Sequence, residues 1–447
     1  MSSTPDIAPG RLPAATIAKN FGDINPPFDR FEARVASERC LFCYDAPCIK
    51  ACPTSIDIPL FIRQIMADNP IGAARTIFRE NILGGMCARV CPTETLCEQA
   101  CVRNASEGKP IEIGQLQRYA TDSFMGSGLA FAKRAAPTGR KVAVVGAGPA
   151  GLACAHRLAL LGHAVTLLDA RTKAGGLNEF GIAAYKATDG FAAKEVAFIL
   201  SIGGITLDLG KRLGADIALA DLKRDYDAVF LGVGLGGVND LGLEDSLDGV
   251  ENAVDYIADL RQASDLASLA VGRKVVVIGG GMTAIDIASQ TKRLGADEVT
   301  LVYRRGQERM NASDYEQQLA QTDGVLIRTW ARPKRVIGSD GKLEAVEFET
   351  TEETDGKLVG TGETYTLHCD QLFRAIGQSF LAETLGASGI AVTGGRIEVD
   401  AERKTSVAGI WAGGDCVAGG EDLTVSAVAD GREAAISIDR ALKLASA

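Results

Sequence analysis

Eight cysteines lie close together in the first quarter of the chain, and their spacing suits metal binding better than disulfide formation. Clustered cysteines in a chain without an export signal more often hold metal, because a reducing compartment disfavours disulfides. Spacing favours two iron-sulfur clusters over two zinc sites, because zinc prefers paired CxxC motifs and only the first two cysteines form one. The eight are Cys40, Cys43, Cys48, Cys52, Cys87, Cys91, Cys97 and Cys101.

A glycine-rich loop follows an apolar strand at 141–145 and carries a second kind of chemistry. Its glycines permit a tight turn and let a pyrophosphate approach the backbone, and the following helix offers its N-terminus to negative charge. Asp169 lies ~20 residues further on, where a carboxylate accepts hydrogen bonds from ribose hydroxyls. The pattern predicts a dinucleotide site, and a tight turn without ligand is the alternative. The loop residues are Gly146, Gly148, Pro149, Ala150 and Gly151.

A second loop of the same kind follows the strand at 274–278, so we expect two dinucleotides in one chain. Its residues are Gly279, Gly281, Met282, Thr283 and Ala284. Tyr303 occupies the position of the ribose-binding acid and is followed by Arg304 and Arg305. Paired guanidinium groups suit a 2'-phosphate, so these residues favour NADP; a solvated arginine pair on the surface is the alternative.

The elements that must position these residues change in character along the chain. Short helical patterns, such as 58–67 and 71–81, surround the cysteines. A stretch with glycine, alanine and lysine follows at 126–139, and strands then alternate with helices to the C-terminus. This order predicts an α/β protein with an N-terminal α-helical domain.

Composition narrows the possible partners. The chain has 447 residues and a formal net charge of -10, and no block of Lys and Arg is present, so nucleic acid is not an expected partner. No apolar run approaches the ~18 residues of a membrane span, and the first thirty residues lack the pattern of a signal peptide. We expect a soluble cytoplasmic protein that binds small molecules or other proteins.

The C-terminal segment Gly-Ile-Trp-Ala-Gly-Gly-Asp at 409–415 resembles the second flavin motif of flavoproteins that bind two dinucleotides. In that family the aspartate, here Asp415, meets the ribityl chain, and the next helix points its N-terminus at the flavin. The resemblance implies FAD at the first glycine loop, with the segment 175–177 and the neighbourhood of Tyr185 as a flavin-contacting loop. It adds Gly176, Leu177, Gly414, Asp415, Thr424 and Val425 to the FAD site.

From about residue 31 to its end, the chain resembles the flavin and iron-sulfur half of dihydropyrimidine dehydrogenase, which in bacteria is a separate subunit. The most specific stretches are 40–53, 91–101 and Ile-Gly-Gln-Leu-Gln at 113–117. In that family one 4Fe-4S cluster maps to Cys40, Cys43, Cys48 and Cys101. The other maps to Cys52, Cys91, Cys97 and Gln117. The resemblance leaves Cys87 unligated, although an amide is a weak ligand for iron and counting thiols alone would have chosen that cysteine.

The expected domains follow from this resemblance. They are a loosely ordered extension at 1–30, a helical iron-sulfur domain at 31–125, a linker at 126–139, an FAD domain at 140–245 and 378–447, and an inserted NAD(P) domain at 246–377.

The resemblance implies an electron-input subunit that passes electrons from NAD(P)H through FAD and two 4Fe-4S clusters to a partner. That partner would be an FMN- and iron-sulfur-containing subunit that reduces uracil or thymine, because nothing in this chain resembles the family's FMN barrel. Bacterial enzymes of this family use NAD, which conflicts with the arginine pair, so the nucleotide stays NAD(P). The small subunit of glutamate synthase has the same architecture and is the nearest alternative, followed by another flavoprotein electron-transfer partner. A non-catalytic docking protein is an alternative of another class.

Overall fold

The computed structural model describes residues 7–243 and 247–444. The helices are α1 (Ala14–Asn20), α2 (Arg30–Glu38), α3 (Pro47–Ala51), α4 (Ile58–Met66), α5 (Pro70–Glu80), α6 (Gly84–Val90), α7 (Val102–Glu107), α8 (Ile113–Gly126), α9 (Pro149–Leu160), α10 (Leu177–Phe180), α11 (Phe191–Leu200), α12 (Leu219–Asp225), α13 (Ala253–Gln262), α14 (Met282–Leu294), α15 (Asp314–Thr322) and α16 (Thr424–Leu444).

The strands are β1 (Ile7–Ala8), β2 (Lys141–Val145), β3 (Ala164–Asp169), β4 (Ile205–Leu209), β5 (Ala228–Leu231), β6 (Gly237–Val238), β7 (Val250–Asn252), β8 (Val271–Gly272), β9 (Lys274–Ile278), β10 (Glu298–Val302), β11 (Leu326–Arg328), β12 (Ala331–Ser339), β13 (Lys342–Thr354), β14 (Lys357–His368), β15 (Gln371–Arg374), β16 (Gln378–Ser379), β17 (Val392–Thr393), β18 (Arg396–Ile397) and β19 (Ile410–Ala412).

The described residues form two compact units, each assembled from separate stretches of chain. Unit A comprises Asn25–Glu179, Asp189–Gly236 and the described part of Phe380–Ala447. Unit B comprises the described part of Met1–Ile24, Phe180–Thr188 and the described part of Gly237–Ser379.

The N-terminal part of unit A is helical, as the sequence predicts. Its first helix, α2, is capped by Asp29, whose side chain accepts from the backbone of Phe31 and Glu32 while the Glu32 side chain accepts from the Asp29 backbone. Helices α4, α5 and α8 bury apolar faces on one another, and the rings of Phe78 and Phe124 meet edge to face at 5.6 Å. Segments that carry cysteines, including Cys40, Cys48 and Cys101, pack against this core.

The rest of unit A is built on a parallel sheet of order β19-β5-β2-β3-β4. Strand β2 lies in the interior, and its residues 142–145 are buried because helices cover the sheet. The segment between α8 and β2 contains no helix or strand. Arg134 holds it against the turn after α9 by donating to the carbonyls of Ala159 (3.1 Å) and His163 (2.8 Å).

Unit B has its own parallel sheet, of order β11-β10-β9-β15-β7, and a three-stranded antiparallel sheet, β12-β13-β14. Helix α14 follows β9 directly and ends at Gly295, whose φ of +114° is accessible mainly to glycine. The two parallel sheets place a strand-loop-helix turn at each expected dinucleotide site.

The structure corrects the expectation of a loosely ordered N-terminal extension, for residues 7–24. Strand β1 pairs with β8, with Ile7 opposite Gly272, and α1 buries Ile17 in the core of unit B, where Ile17 is 2% exposed. Residues 1–6 lie outside the described residues. The proline-rich composition did not indicate that this short segment is ordered. Its apolar side chains pack against residues that are distant in the sequence.

The expected boundary of the inserted domain also changes, because residues 180–188 and 237–243 belong to unit B rather than to an FAD domain ending at 245. Lys186 explains the first stretch: its ammonium donates to Asp286 (2.7 Å) and to both oxygens of Glu316 (2.7 and 2.8 Å). Burial lowers the pKa of Lys186, but the two carboxylates outweigh burial and raise it above its ordinary value. This charged group ties the segment to α14 and α15.

Candidate functional site

Four cysteines line one cavity of unit A, which we name the first cysteine cavity. They are Cys40, Cys43, Cys48 and Cys101. Three come from the segment around α3, and Cys101 is the residue on which α7 begins. Ile58 and Ile62 of α4 form part of its apolar wall. The structure therefore brings together the four residues that the resemblance assigns to one cluster.

The remaining cysteines of the N-terminal region line a second cavity of unit A, which we name the second cysteine cavity. It is lined by Cys52, Cys87, Cys91, Cys97 and Gln117, among other residues. Cys91 directly follows α6, and Gln117 lies one turn into α8. The cavity therefore offers five donor side chains where a 4Fe-4S cluster needs four, with both Cys87 and Gln117 within it.

The buried thiols repel one another when ionised, both within each group and, for Cys97 and Cys48, between the two groups. Burial, then the neighbouring Cys40 and Cys101, raise the pKa of Cys48 to about 12. A hydrogen bond with Cys87, burial, and the charges of Cys87, Cys97 and Cys52 raise the pKa of Cys91 well above its ordinary value. Crowded buried thiols become thiolates when a cation compensates their charge, which is what cluster iron provides.

Gln117 is oriented by one hydrogen bond. Its Nε2 donates to the carbonyl oxygen of Gly84 at 2.7 Å, and the side chain is buried. A carbonyl oxygen only accepts, so the amide nitrogen must face Gly84 and the amide oxygen, Oε1, is the atom left to act as a ligand. Among the described residues, no group of three or more His, Cys, Asp or Glu side chains lies close enough together to hold a single metal ion. The thiols are instead distributed around the walls of two cavities.

Glu98 is a residue that sequence reasoning missed. Its side chain accepts from the backbone N–H of Gly114 at 2.9 Å, in the first turn of the helix that carries Gln117. Burial raises the pKa of Glu98 to about 7. Glu98 therefore links the segment of Cys97 to the start of α8. Its position directly after a cysteine was the only signal in the sequence.

The first glycine loop has the close backbone approaches that require glycine. Gly146 has a φ of +101°, and a Cβ on it would lie 2.2 Å from the carbonyl oxygen of Gly232. A Cβ on Gly151 would lie 1.7 Å from the carbonyl oxygen of Gly146. Pro149 begins α9 and pre-forms its first turn, while Gly148 and Ala150 complete the loop. The free N-terminus of α9 is thus available to a pyrophosphate.

Asp169 ends β3 beside this loop, as predicted. Its two carboxylate oxygens accept from the backbone of Ala147 at 2.6 Å and of Arg171 at 2.8 Å. These bonds hold the carboxylate at the carboxyl edge of the sheet, where ribose hydroxyls of a dinucleotide on the loop would lie.

The remaining residues expected to bind FAD lie at the same carboxyl edge of the unit A sheet. The segment of Gly176 and Leu177 packs on the loop, since a Cβ on Gly176 would lie 2.6 Å from the Cα of Gly148. Gly414 follows β19, and Thr424 and Val425 begin α16. The Thr424 hydroxyl donates to the side-chain oxygen of Asn178 at 2.9 Å, which joins the two segments.

Asp415 is the carboxylate expected near the flavin. Burial, with the nearby charge of Asp422, raises the pKa of Asp415 to about 6, and Arg396 partly opposes that rise. Such a group suits contact with a hydroxyl-bearing chain, which donates hydrogen bonds to it. Cys416, next in sequence, is buried and donates from Sγ to the carbonyl of Gly413 at 3.4 Å, and burial raises its pKa to about 12. It is a packed thiol and not a nucleophile.

Tyr185, which the resemblance places in the neighbourhood of a flavin-contacting loop, packs in the core of unit B. It is fully buried in unit B, and the guanidinium of Arg293 lies 3.8 Å from its ring centroid.

The second glycine loop in unit B has the same construction. Gly279 directly follows β9, and a Cβ on it would lie 2.3 Å from the carbonyl oxygen of Ala375, while the surroundings of Gly281 are open. Helix α14 then begins with Met282, Thr283 and Ala284. The open side at Gly281 is where a pyrophosphate can approach the backbone.

The arginine pair after β10 is available to a ligand. The Tyr303 ring packs on Gly280, and its hydroxyl donates to the carbonyl of Arg309 at 2.8 Å. Arg304 is exposed, and Arg305 is half-buried with an Nε that has no hydrogen-bond partner among the described residues. Neither guanidinium forms an ion pair with a described carboxylate, so both can meet a phosphate.

Comparison with known proteins defines the class. A model of the pyridine nucleotide-disulphide oxidoreductase family matches residues 140–431, and one described as dihydropyrimidine dehydrogenase domain II, 4Fe-4S cluster, matches residues 17–129. Thioredoxin reductase of T. acidophilum superposes with a TM-score of 0.54 at 22% identity over 68% of this chain and 99% of that one. Mycobacterium tuberculosis FprA in complex with NADPH has a TM-score of 0.58 at 18% identity, over 69% and 85%. The chain belongs to the pyridine nucleotide-disulphide oxidoreductase family and carries an N-terminal iron-sulfur domain of the dihydropyrimidine dehydrogenase type.

Relatives of nearly the same length show which members of this family the chain resembles. The NAD-dependent dihydropyrimidine dehydrogenase subunit PreT of Salmonella typhimurium is 35% identical, over 94% of this chain and 97% of that protein. The glutamate synthase [NADPH] small chain of Escherichia coli is 34% identical, over 97% and 96%. These matches confirm the expected resemblance and the expected fold class. The chain is an NAD(P)-dependent oxidoreductase, and the two family models support FAD and 4Fe-4S as its cofactors. Across the described residues, none of the helices is long and apolar enough to span a membrane.

Proposed function

We propose that this chain is the electron-input subunit of a dihydropyrimidine dehydrogenase. It would take a hydride from NAD(P)H onto FAD and pass electrons through two 4Fe-4S clusters to an FMN- and iron-sulfur-containing partner that reduces uracil or thymine to the 5,6-dihydropyrimidine. FAD supplies the conversion between paired and single electrons, because an iron-sulfur cluster takes one electron at a time.

The residues of the chain bind and orient the cofactors, and none is required as an acid or base. The loop from Gly146 to Gly151 and the carboxylates of Asp169 and Asp415 would hold FAD. The loop from Gly279 would hold the nicotinamide nucleotide. Cys40, Cys43, Cys48 and Cys101 would hold one cluster, and Cys52, Cys91, Cys97 and Gln117 the other.

The observation that carries the proposal is Gln117 in the second cysteine cavity. Its amide is fixed by Gly84, so that its oxygen is free in a cavity lined by four cysteines. A glutamine ligand distinguishes the dihydropyrimidine dehydrogenase pattern from a set of four thiolates. PreT of Escherichia coli, 34% identical over 97% of its length, carries the name of that activity.

Two measurements test the proposal. Adding NAD(P)H to the purified, flavin-loaded chain should bleach the flavin absorbance and reduce an artificial acceptor, but should not reduce uracil. Uracil reduction should appear only when the partner is added. A flavin that stays oxidised under NAD(P)H would refute electron input and favour a docking protein.

Recovery of the tagged chain from its own cells identifies the partner. An FMN- and iron-sulfur-containing protein that reduces uracil supports the proposal. A large subunit that forms glutamate from glutamine and 2-oxoglutarate would instead assign the chain to glutamate synthase, whose small chain in Escherichia coli is equally similar at 34% identity.

A further inference from the structure

A cavity of about 290 Å³ lies in unit A apart from the cofactor loops, and we name it the arginine cavity. It is bounded by one face of α9, by α16, by the C-terminal half of α5 and by residues 131–132. Its size falls at the lower end of the range for small-molecule sites. None of the expected cluster ligands or glycine-loop residues lines it.

The walls carry an excess of positive charge. Four arginines, Arg75, Arg79, Arg157 and Arg432, line the cavity with a single carboxylate, Glu80. Glu80 is paired with Arg432, so three guanidinium charges remain uncompensated in a chain whose formal net charge is -10. A basic cavity in an acidic protein selects for anions.

Several of these donors lack protein acceptors. Arg75 donates to the carbonyl of Phe131 at 2.6 Å, whereas Arg79, which is exposed, and Arg157, which is half-buried, form no hydrogen bond or ion pair with any described residue. The Nε atoms of Arg157 and Arg432 are buried without a hydrogen-bond partner among the described residues. A buried donor without an acceptor is unfavourable, and an oxyanion in the cavity would satisfy it.

A histidine, His156, adds another polar side chain to the arginine cavity. It lines the cavity, is 5% exposed, and has no hydrogen-bond partner among the described residues. Burial, with the adjacent charge of Arg157, lowers the pKa of His156 to about 4. The ring is therefore neutral near pH 7 and offers one N–H donor and one acceptor.

An aromatic and aliphatic wall completes the cavity. The Phe131 ring lies 5.8 Å from that of Phe78, edge to face, and 6.2 Å from the imidazole of His156. Phe78 is buried, whereas Phe131 is half-buried and so presents part of its ring to a ligand. Leu160 and Val428 add aliphatic surface. A charged end beside an aromatic wall suits a ligand with an oxyanion on a flat body.

We propose that the arginine cavity binds a small organic anion, with its phosphate or carboxylate held by Arg79 and Arg157 and its flat body packed against Phe131. This site is separate from the FAD, NAD(P) and cluster sites, and it does not depend on the reaction that the chain performs.

Calorimetric titration of the holoenzyme with uridine monophosphate tests this proposal. A uridine nucleotide is chosen because adenine nucleotides would also enter the dinucleotide sites. Benzoate is the carboxylate probe, and uridine and ribose 5-phosphate lack the anion and the flat body respectively. Each of these two is expected to bind about tenfold or more weakly than uridine monophosphate, because each loses one of the two recognition elements.

Variants locate the site. Arg79→Ala and Arg157→Ala should each weaken binding about tenfold or more, and Arg157→Lys should recover part of that loss because it keeps the charge without the planar fork. Lys133→Ala is the matched control, since Lys133 is exposed beside the cavity but does not line it, and it should leave affinity within about twofold. Thermal melting of each variant confirms its fold. The proposal is overturned if neither uridine monophosphate nor benzoate binds, or if both alanine variants bind like the Lys133→Ala protein.

Discussion

If Gln117 is a ligand of the proposed second cluster, its replacement by glutamate is expected to lower the reduction potential of that cluster. The glutamate has the same length, so an oxygen remains where the amide oxygen was, but the ligand set gains one negative charge. At about 4 Å and an effective dielectric constant near 20, one charge is worth about 4 kcal/mol. For a one-electron couple this corresponds to roughly 170 mV.

The same change removes a hydrogen bond. Nε2 of Gln117 donates to the Gly84 carbonyl at 2.7 Å, and a carboxylate cannot donate. Losing that hydrogen bond should reduce the free energy of unfolding by about 0.5–1.5 kcal/mol. Thermal melting would measure this loss separately from the redox effect.

The assay is a redox titration of the purified protein followed by electron paramagnetic resonance. Gln115→Glu is the matched control, because Gln115 lies on the same helix, donates to the Pro26 carbonyl at 3.3 Å, and does not line the second cysteine cavity. Its variant has the same added charge and a similar lost bond. Equal potentials in the two glutamate variants would refute Gln117 as a ligand.

Four further outcomes are expected. Cys87→Ser should keep its full iron content by chemical assay, and loss of one cluster would make this cysteine the fourth ligand. Changing Arg304 and Arg305 together to alanine should lower kcat/KM for NADPH relative to NADH about tenfold or more if they hold a 2'-phosphate, and an unchanged ratio would exclude that role. Gly151→Ala should abolish flavin retention during gel filtration, because its Cβ collides with backbone, and a normal flavin content would contradict the loop geometry. Lys186→Met should destabilise unit B by about 3–5 kcal/mol, since two buried carboxylates lose their counter-charge, and an unchanged melting temperature would show that the ion group contributes nothing.

The parts of the fold that follow from local pattern could be predicted from the sequence. Both strand-loop-helix turns and the acid at Asp169 appear where the spacing places them, because glycine, proline and carboxylate at those positions have local conformational and hydrogen-bonding reasons. The division of the cysteines into two groups needed a family resemblance, since the pairing of Cys101 with the first run depends on how distant helices fold together.

Features that depend on long-range contacts could not be predicted. Nothing local to Lys186 indicates that its carboxylate partners lie 100 and 130 residues further on, so the crossing of residues 180–188 into unit B was missed. The pairing of β1 with β8 was missed for the same reason. The arginine cavity joins residues from four separate stretches of chain, none of which is basic enough alone to attract notice.

The interrupted sheet of unit A has a consequence for biosynthesis. Strand β5 ends at Leu231, but β19, the edge strand that covers β5, begins only at Ile410. At roughly 5–20 residues per second, the ribosome needs on the order of 9–36 s to make the intervening chain. Throughout that time β5 has an unpaired edge, and its four residues, all buried in the finished protein, are open to wrong partners. Nascent chains paused before residue 410 should therefore aggregate or recruit chaperones, whereas chains released after α16 should not.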